Sequence, residues 1–228
     1  MLPCISNGLS KYFTSSCGVK QGDVLSPTLF NLFINGLIND LDNSSIDPVS
    51  VGDVKVTSLM YADDIILLSE SQEGLQKSLD ILNNFCSSWK LEVNKQKSKI
   101  IVFNSNGKSH FNHFHINNEK LETVKSYCYL GIVISYTGNL NLSKTHLMEK
   151  GRKAWFKIKK SLTLDTSCCI LEKLFDALVV PVILYGSEVW GAVKTYRDSD
   201  PYENLHLKFI NFRSSLENHK YCMLNRNK

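Results

Sequence analysis

Val54-Lys55-Val56-Thr57-Ser58-Leu59-Met60-Tyr61-Ala62-Asp63-Asp64-Ile65-Ile66-Leu67-Leu68 decides how the first part of this chain folds. Two apolar, β-prone runs, 54–60 and 65–68, meet at four residues, and the last two of these are carboxylates. The simplest reading is a pair of strands joined by a tight acidic turn. Two carboxylates at such a junction can hold Mg²⁺, a hard cation that takes oxygen ligands. The bland alternative is a surface turn with two solvated aspartates. Leu59, Met60, Ile65 and Ile66 speak against it, because they crowd both sides and put the turn at the end of a buried hairpin.

Upstream of the hairpin, Ser26-Pro27 opens a helix, with serine as N-cap and proline at the first helical position. Leu29, Leu32, Phe33, Leu37 and Leu41 follow at helical period. The loop entering it, Gly18 to Pro27, is punctuated by glycine. Gly22 lets a backbone approach closely, and the helix end favours anions. Asp42–Ser50 is a polar loop.

Downstream, Ser69 with Gln72 fits a capping box for a helix whose apolar stripe is Leu75, Leu79, Leu82, Phe85, Cys86 and Trp89. Asn94-Lys95-Gln96-Lys97-Ser98-Lys99 leads into a strand expected over 99–103. A lysine there could protonate a leaving group beside a metal-bound phosphate, or simply mark a solvated strand entrance. Residues 111–116 and 120–124 bracket the turn signal Asn117-Asn118, and 129–135 reads as one strand carrying Gly131.

Thr137-Gly138-Asn139 breaks the pattern. Helical segments follow over 141–162, 167–180, 182–192 and 202–217, the last with Leu205, Phe209, Phe212 and Leu216 in register. The expected fold is α+β over residues 1–137 and all-α over 138–228.

With 228 residues, 43% of them hydrophobic and 21% charged, the chain can build a core in one or two domains. Its longest apolar stretch, Ala177–Tyr185, is nine residues broken by Pro181, too short to cross a bilayer. Without a signal-peptide pattern at Met1, an intracellular protein, nuclear or cytoplasmic, is expected. Seven cysteines and no C-x-x-C pair point to plain thiols.

The net charge of +4 is unevenly spread. Lys144, Lys150, Arg152, Lys153, Lys157, Lys159 and Lys160 face only Glu149 within 141–162, whereas 1–140 carries −2 and 163–228 is neutral. Such a stripe is either a phosphate-following surface or a solvated helix face. Trp155 and Phe156 within it could stack on bases, or belong to the core. His110, His113 and His115 read as an exposed polar strand face.

Taken in order, these blocks resemble the reverse transcriptases of non-LTR (LINE-type) retrotransposons. Gly18–Asn31 looks like the family's G-x-x-Q-G-x-x-L-S-P-x-L-F-N block, Tyr61–Asp64 its Y-x-D-D turn, and Asn94–Lys99 its N-x-x-K-T/S-K block. Tyr129-Leu130-Gly131 is similar to the Y-L-G primer-grip strand, and Pro181–Trp190 to P-x-L-L-Y-G-x-E-x-W.

The resemblance implies a partial palm, an antiparallel sheet with helices, followed by an all-α thumb or connector. It implies RNA-templated DNA synthesis by two Mg²⁺ ions (Mn²⁺ as substitute) acting on an RNA template, a DNA primer and deoxynucleoside triphosphates. Asp63 would be the principal metal ligand and Asp64 a secondary one. Gly18, Gln21, Gly22, Ser26, Pro27, Tyr61 and Ala62 would border template and nucleotide. Lys97 would be the proton donor to pyrophosphate, and Tyr129, Leu130 and Gly131 would hold the primer end. Lys150, Arg152, Lys153, Lys157 and Lys160 would track the duplex backbone.

The family's further metal-ligating aspartate lies upstream of the G-x-x-Q-G block, and residues 1–17 hold no Asp or Glu. The fingers are missing too, and the residues after Leu216 are polar and without pattern. A chain cut short at both ends, inactive by itself, is therefore expected. A non-catalytic nucleic-acid-binding remnant that uses the basic helix 144–160 is the runner-up, and a ligand-free structural remnant the third reading.

Overall fold

The structure is a computed structural model, and it describes residues 4–5, 8–9, 18–103, 113–162, 166–191 and 201–226. In chain order the elements are β1 (Cys4–Ile5), β2 (Gly8–Leu9), α1 (Ser26–Asp42), β3 (Val49–Val51), β4 (Val54–Val56), β5 (Ser58–Tyr61) and β6 (Asp64–Leu67). Then come α2 (Gln72–Trp89), β7 (Lys99–Ile100), β8 (His115–Ile116), β9 (Glu119–Lys120), β10 (Glu122–Thr123), β11 (Ser126–Tyr129) and β12 (Ile132–Ser135). The helices α3 (Asn141–Ser161), α4 (Cys168–Leu178), α5 (Val180–Ile183), α6 (Ser187–Trp190) and α7 (Pro201–Arg226) complete the chain. The fold is mixed helices and small sheets. His110, the strand start at Phe111, Cys17 and the tail beyond residue 226 lie outside the described residues.

Two compact units form, Met1–Ser98 with Asn112–Glu122, and Lys99–Phe111 with Thr123–Lys228. In the first, α1 and α2 bury Ile34, Leu37 and Leu41 against Leu79, Leu82 and Phe85. Phe33 meets Trp89 edge-on at 5.1 Å and Phe85 at 5.8 Å. The hairpin β8–β9 turns at Asn117 and Asn118, both at positive φ (50° and 61°), as the sequence anticipates. Phe114 and Ile116 are buried while His113 and His115 are exposed. The Gln76 side-chain amide clips the hairpin to α2, donating to His115 O at 2.9 Å and accepting from His115 N at 3.1 Å.

The second unit is a helical cluster around Trp155, Leu171, Phe175, Val179, Ile183, Leu205 and Phe209. Phe175 stacks on Phe209 at 4.0 Å, and Trp155 meets Phe175, Phe209 and Phe212 edge-on at 5.4–5.8 Å. Gly151 admits α5 into this core, since a Cβ there would lie 2.1 Å from Ile183 Cγ2. The hairpin β11–β12 packs on α3, where Ser143 Oγ accepts from Val133 N at 3.3 Å.

Several sequence expectations are corrected. The antiparallel sheet is realised as separate ribbons, each described strand pairing with one neighbour. Ladders of two to four residues need support from a helix, because an isolated hairpin is marginal in water. The strand expected over 99–103 is only β7, with Ile100 O accepting from Val124 N at 2.8 Å. The strand expected over 129–135 is two strands with a turn at Leu130-Gly131. Helix α2 is capped by Ser71, not Ser69: Ser71 is extended and its Oγ accepts from Gly74 N at 3.0 Å, which leaves Gln72 already inside the helix. On α1, Leu29 and Leu32 stay exposed, and burial begins at Ile34, where α2 comes alongside.

Candidate active site

The acidic turn is a two-residue hairpin. Register runs Ser58↔Leu67, Leu59↔Ile66, Met60↔Ile65 and Tyr61↔Asp64, so Ala62-Asp63 is the turn and Asp64 the first ladder residue of β6. Ala62 takes φ 52°, a left-handed conformation that costs an L-residue about 1–2 kcal/mol. Tyr61, Ala62, Asp63 and Asp64 are all exposed. The hairpin is only half-buried: Leu59 faces solvent, while Met60, Ile65 and Ile66 are partly covered and β6 lies against α2.

Adjacent carboxylates, one in the turn and one on the ladder, do not make a complete metal site. Among the described residues no group of three or more His, Cys, Asp or Glu side chains converges. Mg²⁺ keeps several waters and is commonly held by one or two carboxylates plus substrate phosphates, so Asp63 and Asp64 could supply part of its shell but not a closed cage.

The loop before α1 is tied to itself. Gly18 and Gly22 sit at φ 78° and 83°, and a Cβ on either would meet nothing within 4 Å. Glycine at 22 serves the positive φ, and no neighbouring atom of the chain crowds it. Ser26 is not the N-cap. Leu25 already has helical angles, and Ser26 Oγ donates to Lys20 O at 2.5 Å. Asp23 closes an Asx turn just ahead of the helix, its Oδ1 accepting from Leu25 N at 2.9 Å, while the helix start itself has no side-chain cap. Gln21 and Pro27 are exposed beside this turn.

Asn94 organises the basic block. Its Oδ1 accepts from Lys97 N at 3.1 Å and its carbonyl from Ser98 N at 2.9 Å. Lys95 pairs with Glu119 at 2.6 Å, while Lys97 is exposed.

In the second unit, Lys150, Arg152, Lys153, Lys157 and Lys160 are exposed on α3, away from its buried face of Ser143, Leu147, Met148, Gly151, Trp155 and Ile158. Lys144 and Lys159 instead lie over the Trp190 and Phe212 rings at 5.4 and 4.6 Å. Trp155 is core, whereas Phe156 is 67% exposed among the cations. Tyr129 is half-buried, and Leu130 and Gly131 form the turn between β11 and β12. Cys86, Cys128, Cys168 and Cys169 carry no disulfide.

Residues 1–134, more than half of the chain, match the model of the reverse transcriptase (RNA-dependent DNA polymerase) family. The chain belongs to that family. Its relatives are RNA-directed DNA polymerases of non-LTR retrotransposons. It is 27% identical over 192 residues to the RNA-directed DNA polymerase from mobile element jockey of Drosophila funebris, covering 78% of this chain and 20% of that protein. It is 31% identical over 139 residues to the Pol polyprotein of type-2 retrotransposable element R2DM of Drosophila melanogaster, covering 58% and 13%. It is 27% identical over 191 residues to the Pol polyprotein of type-1 retrotransposable element R2 of Popillia japonica, covering 80% and 26%. The chain thus spans about a quarter or less of these relatives. No described helix is long and apolar enough to cross a membrane.

Proposed function

We propose that this chain is the palm part and thumb of a non-LTR retrotransposon reverse transcriptase, with residues 1–137 as palm and 138–228 as thumb and extension. The carrying observation is the Tyr61–Asp64 turn, whose two carboxylates stand exposed at the tip of a hairpin inside the family match. In this reading Asp63 and Asp64 are the chain's share of the catalytic metal ligands, and a divalent ion would activate the primer hydroxyl and neutralise the leaving pyrophosphate. The loop with Gly18, Gln21 and Gly22, leading to Ser26-Pro27, borders template and nucleotide beside Tyr61 and Ala62. Asn94 sets the backbone from which Lys97 delivers its proton. Tyr129, Leu130 and Gly131 meet the primer end. The partners are an RNA template, a DNA primer and deoxynucleoside triphosphates.

This 228-residue chain alone is proposed to be inactive, because it offers two carboxylates from one turn and no Asp or Glu before Asp23. The test is incorporation of labelled nucleotide on a primed RNA template, with Asp63→Ala as control. No incorporation is expected, and incorporation abolished by Asp63→Ala would show a complete site.

A second reading, nucleic-acid binding without catalysis, is favoured by the exposed cations of α3. It predicts salt-dependent RNA/DNA duplex binding that survives Asp63→Ala and is weakened in Lys157→Glu with Lys160→Glu.

A further inference from the structure

Two motifs more than fifty residues apart in sequence interlock in the second unit. The Leu130-Gly131 turn has φ 44° and 85°, the pattern of a type I′ hairpin, a turn that ordinarily selects Asn, Asp or Gly at its first position. Leucine held at positive φ is an outlier, which a surrounding structure must enforce.

That enforcement comes from the segment after α5. Tyr185 Oη donates to Leu130 O at 2.9 Å. The Tyr185 ring lies so close over Gly131 that a Cβ there would sit 3.0 Å from Cε1. Gly186, at φ 65°, leaves room for Ile132, since a Cβ on it would fall 2.6 Å from Cδ1. Trp190 Nε1 donates to Tyr185 O at 2.9 Å, and Lys144 covers the Trp190 ring. Each glycine thus receives a side chain of the other motif, and a helix-borne indole holds the tyrosine's own backbone.

We infer that Tyr185, Gly186 and Trp190 are positioning residues that lock the Tyr129–Gly131 turn for contact with the primer 3′ end. The inference rests on the reading of that turn as primer-contacting. Tyr185 is about half exposed, so its hydroxyl bond adds little to global stability, whereas it holds the orientation of one carbonyl directly. Its effect is therefore on where the primer end lies, separate from how tightly the duplex binds through α3.

The experiment uses the full chain and an RNA/DNA hybrid whose primer carries a photoreactive diazirine at its 3′-terminal nucleotide. In the unsubstituted chain, cross-links are expected within 126–133. Tyr185→Phe is expected to cut their yield about five- to tenfold, the worth of about one hydrogen bond. Its duplex affinity should stay within about twofold and its Tm within about 2 °C. Trp190→Phe should give a smaller loss of the same kind. Gly186→Ala should lower the yield through Ile132, and Ile132→Val, which removes Cδ1, should restore part of it. Unchanged cross-linking in Tyr185→Phe, with cross-links present in the unsubstituted chain, would overturn the lock. Absence of cross-links in 126–133 from the unsubstituted chain would instead overturn the primer contact, and the positioning role with it.

Discussion

Two hairpin turns of the same size stand in opposite circumstances. Ala62-Asp63 projects into solvent with all four residues of its motif exposed, while Leu130-Gly131 is gripped by a tyrosine 55 residues further along the chain. Both force a non-glycine residue to positive φ, at 52° and 44°. In the first case the hairpin ladder frames the strained residue. In the second, tertiary contacts share the task. The open turn offers its carboxylates to whatever approaches. The gripped turn offers one fixed backbone carbonyl. On the proposed reading, a chemical site completed by other groups and a contact surface set in advance call for these different supports.

The largest effect is expected from emptying the helical core of the unit that holds the gripped turn. Phe175→Ala empties the stack with Phe209 and is expected to cost the second unit about 3–5 kcal/mol in urea unfolding. Gly151→Ala should follow, at about 1–3 kcal/mol, because its Cβ displaces Ile183 and the helix that leads to Tyr185. Turn chemistry gives smaller effects. Ala62→Gly should stabilise the open hairpin by at most about 1 kcal/mol, as relief of left-handed strain is partly offset by glycine's unfolded-state entropy. Leu130→Asn should have a comparable effect at the gripped turn while keeping the carbonyl that Tyr185 holds.

The smallest effect probes the unit that carries the open turn. Burial raises the Cys86 thiol above its ordinary value of about 9.0. The stability this contributes is complete below that value and is lost as pH rises through the raised one. Cys86→Ser should therefore flatten the decline in thermal stability above about pH 9, and peptide mapping should find Cys86 alkylated more slowly than exposed Cys128.

Much of this molecule was legible before folding. The hairpin with its acidic turn, the Asn117-Asn118 turn, helices α1 to α4 and the polar face of α3 all announce themselves, because each depends on local period or local turn chemistry. What stayed hidden shares one property. Ser71 took the cap expected of Ser69, and Ser26 makes no capping bond at all, since a capping hydrogen bond depends on the angles the chain reaches and not only on the residue available. Trp155 and Phe156, neighbours within one basic run, parted into core and surface once α4 and α7 chose a face of α3. Leu130-Gly131 read as strand, because leucine carries no turn signal and its left-handed backbone is sustained by Tyr185.

By itself, the sequence determined the order of the longer helices, the place of the two aspartates and the concentration of positive charge, all of which follow from residues near one another in the chain. Tertiary structure alone decided which cations remain open, which aromatics become core and which turn is locked. Those outcomes depend on contacts between distant segments, and a one-dimensional pattern carries residue types but not the distances at which they meet.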